Sequence, residues 1–64
     1  MRKPERINVF CEEFAQLWRD NFPDWRFGQL LNNLQRYAGS DLFYLEEEAM
    51  LKLLKEFIED IKKD

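Results

Sequence analysis

FPDWRFGQLLNNLQRYAG, residues 22–39, is the stretch that decides the fold. Within it Phe27, Leu30, Leu31, Leu34, Tyr37 and Ala38 recur at spacings of three and four, the pattern of one apolar stripe along a helix. Pro23 pushes Phe22 out of the α region and so separates this helix from whatever precedes it. Asp24 reads as the N-cap, a carboxylate able to accept from free N–H groups of the first turn. Gly39 reads as the stop. The spacing therefore predicts a helix over 25–38. Gly28 inside it costs ~1 kcal/mol relative to Ala, and its place at the edge of the stripe predicts a close approach of another helix.

Toward the amino end, Ile7, Phe10, Cys11, Phe14, Leu17 and Trp18 repeat the same spacing, with Pro4 suited to a first turn. A helix over 4–20 follows, with Val9 on its opposite side beside Glu13 and Gln16. Toward the carboxyl end comes DLFYL, residues 41–45. Leu42, Phe43, Tyr44 and Leu45 could make a strand, but no other segment offers it a partner. They read as an irregular or 3₁₀ plug, begun by Asp41, that drops its aromatics over the end of the core. The last helix, 46–62, presents Met50, Leu53, Leu54, Phe57, Ile58 and Ile61 on its buried face, with Leu51 at the margin. Glu46, Glu47 and Glu48 at its head and Lys62 and Lys63 at its tail complement the helix dipole. The fold class is all-α: one compact three-helix domain over 1–64, with a short aromatic loop before the last helix.

Sixty-four residues bury only about 60% of the surface the unfolded chain exposes, and chains this small are commonly reinforced by disulfides, a metal or a partner. Cys11 is the single cysteine and there is no histidine. An internal disulfide is excluded, a zinc site has no ligands to build it, and a reducing compartment is expected. Efficient packing or self-association into a homo-oligomer remains. No apolar run suits a signal peptide or a membrane span, so a cytoplasmic protein is expected. The net charge of −3 is uneven. Residues 1–40 carry six basic and five acidic groups, residues 41–64 four and eight. That balance disfavours nucleic acid in general without excluding a local basic face.

Two segments carry a resemblance. Arg26–Leu31, RFGQLL, and Asp41–Glu47, DLFYLEE, resemble the R-[LF]-G-Q-L-[LI] core and the later D-x-F-Y-[LI]-E-[DE] element of a family of short uncharacterised proteins from bacterial and phage genomes. The opening RINVF and Trp18 fit the same pattern, and Leu42 stands where the pattern has proline. The resemblance implies a small helical architecture and a phage or mobile-element setting. It implies no activity.

The inventory leaves no enzyme. There is no histidine to act as a base near neutral pH, one cysteine, one serine (Ser40) and no threonine. No phosphate-cradling glycine loop occurs, and no cofactor or metal site is expected. Cys11, among apolar neighbours, reads as a buried and inert thiol. The informative surface is the second helix opposite its stripe, where Trp25, Gln29, Asn32 and Arg36 line up with Arg26 and Asn33 alongside. A solvated face with Trp25 tucked against Phe22 is the plain reading. Trp and Arg also suit a protein contact, while amides and Arg can read base edges. Tyr44 and Phe43 are expected to close the core; the alternative is an exposed ledge that docks a partner or a second copy. The expectation is a non-enzymatic interaction protein binding a partner protein or itself through Trp25, Arg26, Gln29, Asn32, Asn33, Arg36 and Tyr44. A small nucleic-acid-binding accessory using the same Arg/Gln/Asn face is the alternative.

Overall fold

Pro23 makes the first break in the chain. In the computed structural model, which describes residues 3–63, helix α1 runs Glu5–Asn21 and stops as Phe22 leaves helical geometry at φ −138°, ψ 52°. The Phe22 N–H still donates to the Trp18 carbonyl at 2.8 Å, closing the last turn. Helix α2 follows at Phe27–Ala38, a 3₁₀ turn at Leu42–Tyr44, and helix α3 at Glu47–Lys62. The three-helix, all-α architecture is the expected one. The unit predicted over 1–64 also includes residues 1, 2 and 64, which lie outside the described residues.

The head of α2 differs from expectation. Asp24 does not cap it. Residues 22–25 are taken up by a tight turn in which the Trp25 N–H donates to the Phe22 carbonyl at 3.1 Å. The chain becomes extended only at Arg26 (φ −75°, ψ 155°), and that residue is the N-cap. Gln29 completes the cap, its Oε1 accepting from the Arg26 N–H at 3.1 Å. A guanidinium has no acceptor, so this return bond from the third helical position carries the side-chain part of the cap. At the other end Gly39 adopts φ 69° and its N–H reaches the Gln35 carbonyl, the left-handed stop that glycine takes at least cost.

Helix α3 is the element on which the other two pack. Leu54, Phe57 and Ile58 from α3, Leu30 and Leu34 from α2, and Phe22 form the buried core. Leu51, expected at the margin, is buried as well. Each fully buried leucine contributes roughly 1.5–3 kcal/mol. Helices α1 and α3 run in the same direction. Near their amino ends Arg6 Nε meets Glu47 Oε1 at 2.7 Å, and beyond the carboxyl end of α1 the Phe22 ring packs on Phe57 at 5.8 Å between centroids. Rings carry the α1–α2 contact, with Phe27 edge-on to Phe14 at 6.2 Å and tilted on Trp18 at 5.9 Å.

Several positions predicted as interior are open. Helix α1 contains no fully buried residue; Ile7 and Cys11 are exposed, with Phe14, Leu17 and Trp18 half-buried. Cys11 is thus an accessible thiol, contrary to expectation. Phe27, Leu31, Tyr37 and Ile61 are also largely exposed. The cause is shared: each stripe is wider than the surface its neighbours can cover, and Ile61 lies past the end of the packed region. Gly28 meets no close helix, since a Cβ built there has nothing within 4 Å. Among the described residues no helix is long and apolar enough to cross a membrane.

Candidate interaction surface

The largest departure is at DLFYL. Asp41 caps the turn as expected, its Oδ1 accepting from the Phe43 N–H at 3.0 Å, and the Leu45 N–H donates to the Leu42 carbonyl at 3.1 Å. With three residues per turn, positions 42 and 45 fall on one side and 43 and 44 on the other. Leu42 packs against the core and Leu45 is half-buried. Phe43 and Tyr44 point away, 79% and 82% exposed, so they do not close the core. Their rings meet edge-on at 4.9 Å, a knuckle held from below by two leucines and a capping carboxylate. The i, i+3 pairing of Leu42 with Leu45 is the sequence signal that could have revealed it.

Gln29, Asn32 and Arg36 lie exposed along α2, with Arg26 exposed at its head. Asn33 is half-buried, and its Nδ2 donates to the Gln29 carbonyl at 2.9 Å. No acid stands on this face of the helix itself. Trp25 is different. It sits in the turn before α2, stacked on Phe22 at 4.4 Å and 18°, and its carbonyl accepts from Trp18 Nε1 at 3.2 Å. Only part of its ring remains for a partner. Tyr44 lies beyond Gly39 on the knuckle, away from the helical run, so the seven residues form a helix face, a half-covered ring at its head and a separate aromatic tip.

Two neighbouring features shape the electrostatics. Beside the knuckle the head of α3 carries Glu46, Glu47 and Glu48, and with Arg6, Val9, Phe10 and Leu51 these line a groove of about 500 Å³. Sequence reasoning noted Val9 only as an isolated apolar spot; its neighbours become visible only once α1 and α3 are parallel. Between α2 and α3 the Tyr37 hydroxyl donates to Asp60 Oδ2. That hydrogen bond, with loss of solvent and the negative field of Asp60 and Glu56, pushes the phenol up to about 12. Among the described residues no group of three His, Cys, Asp or Glu side chains is placed to hold a metal ion.

The segments Arg26–Leu31 and Asp41–Glu47 both have structural work to do. Arg26 and Gln29 cap α2, Leu30 is wholly buried, and Asp41 and Leu42 set the 3₁₀ turn. No family model, curated protein or solved structure matches this chain.

Proposed function

We propose that this chain is a non-enzymatic interaction protein that docks on a partner protein through the Phe43–Tyr44 knuckle, with the amide-and-arginine face of α2 as a second contact. The observation that carries the reading is the exposure of two adjacent aromatic rings on a turn whose flanking leucines face inward. A soluble monomer gains nothing from leaving them in water. Covering about 150 Å² on each ring corresponds to roughly 3–4 kcal/mol gross per ring, before the costs of association. Arg26 and Arg36 add planar donors of the kind enriched at binding hot spots. The phage or bacterial setting implied by the resemblance suits a small accessory that acts by contact.

Affinity capture from the host, comparing the parent with a Phe43→Ala/Tyr44→Ala variant, tests this. Loss of a specific protein with the variant supports the proposal; recovery of the same proteins by both defeats it. A low-salt shift of duplex or single-stranded nucleic acid, lost on Arg26→Ala/Arg36→Ala and weakening steeply with salt, would move the function to nucleic acid instead.

A further inference from the structure

The groove between the heads of α1 and α3 combines an apolar lining with an acidic rim. On α1 it is lined by Val9, 58% exposed, and by the half-buried Phe10, whose ring stacks on Phe14 at 5.6 Å and 9°. On α3 the buried Leu51 completes the apolar part. At about 500 Å³ the groove has the capacity of a ligand cleft, commonly ~300–1,000 Å³. We infer that it seats an arginine or lysine side chain from a basic segment of a partner protein, the aliphatic stem on Val9, Phe10 and Leu51 and the cationic head at Glu48. The inference rests on the reading of this chain as an interaction protein, and it adds a contact separate from the knuckle.

Charge selects the occupant. Among the described residues lining the groove Arg6 is the one cation, and it is taken by Glu47 at 2.7 Å. Glu48 lines the same groove, is exposed and has no ion-pair partner among the described residues. The positive head of α3 amounts to about half a charge, which offsets the Glu48 carboxylate only in part. One helical turn to either side of Val9, Glu5 and Glu13 are exposed as well.

The other occupants fit less well. A purely apolar one would strip water from Glu48 and put nothing in its place. An acidic segment would be repelled, and a second copy brings a net −3 to the same rim. An amphipathic cation satisfies both parts of the groove, since long basic side chains lay their stems on apolar surface and keep the charged head at its edge. The Phe10 ring favours arginine, whose guanidinium stacks on aromatic faces.

The probe is a synthetic amphipathic peptide of arginine and leucine, about 14 residues long and so roughly 21 Å as a helix. The same peptide with glutamate in place of arginine is its control. Anisotropy of the labelled peptide reads affinity, and amide chemical-shift mapping, expected to centre on Val9, Phe10 and Leu51, reads the place. Val9→Lys and Glu48→Lys alter exposed side chains and should keep the parent's helicity, yet each should weaken binding about tenfold or more. Glu59→Lys makes the same charge change as Glu48→Lys at an exposed position near the other end of α3 and should weaken binding less than about threefold. No binding up to about 1 mM, equal binding of the glutamate peptide, indifference to Val9→Lys and Glu48→Lys, or an equal loss with Glu59→Lys overturns the inference. Phe43→Ala/Tyr44→Ala should bind the peptide like the parent. Loss of the peptide by that variant, with Val9→Lys unaffected, moves the basic contact to the knuckle; it defeats this inference and leaves the docking role of the knuckle standing. Peptide held in the groove, with host capture unchanged by removal of the knuckle rings, does the reverse.

Discussion

Leu54→Ala separates the packed centre of α3 from the part of its apolar stripe that only looks packed. Leu54 is 0% exposed and lies among Leu30, Leu34, Phe22, Phe57 and Ile58. Replacing it removes three carbons from the interior, about 2.4 kcal/mol at ~0.8 kcal/mol per buried methylene. The cavity left behind raises the loss to about 3–4 kcal/mol. At 0.05–0.15 kcal/mol per residue a chain of this size holds roughly 3–10 kcal/mol in all, so the variant should lose from about a third to all of its stability. Ile61 is the control: it shares the stripe by sequence spacing, yet it is 42% exposed. Ile61→Ala should cost about 1 kcal/mol or less. Urea unfolding followed by far-ultraviolet circular dichroism measures both. Equal losses at the two positions, or a Leu54→Ala loss below about 1.5 kcal/mol, would refute the placement of the core.

Three further outcomes follow from local geometry. Tyr37 has a folded-state pKa raised to about 12, so the bond to Asp60 contributes fully below the ordinary phenol value of about 10 and is lost as pH rises through 12. Phenolate absorbance in a Tyr44→Phe background should titrate late, and Tyr37→Phe should flatten the alkaline loss of stability; an ordinary titration midpoint would contradict this. Gly39→Ala forces a side chain into the left-handed region at φ 69° and should destabilise by about 1–2 kcal/mol in thermal unfolding. A double-mutant cycle on Arg6 and Glu47, which are partly exposed at 36% and 33%, should return a coupling of no more than about 1 kcal/mol.

The helices were legible because their apolar residues repeat with the helical period and because Pro23 and Gly39 punctuate them. Capping was less so. Asp24 has the right chemistry, but the Phe22–Trp25 turn uses its position, and the role passes to Gln29 through a bond that depends on where the chain first straightens. At Leu42–Leu45 four apolar residues in a row carry no period of two or 3.6, so the sequence does not say which pair turns inward until a 3₁₀ rotation is assumed. Cys11 and Ile61 fail for another reason. Periodicity tells which side of a helix they occupy, whereas burial depends on how far the neighbouring helix extends, and a chain of 64 residues runs out of surface to cover them. The outward face of Gln29, Asn32 and Arg36 follows directly from the stripe opposite it.

Equilibrium unfolding of Phe43→Ala/Tyr44→Ala tests most directly whether the aromatic tip exists for contact rather than for folding. With both rings in water, the variant should unfold within about 0.5 kcal/mol of the parent, as surface substitutions do. A loss of about 3 kcal/mol or more, the scale of an aromatic ring removed from an interior, would place those rings inside the protein and contradict the account.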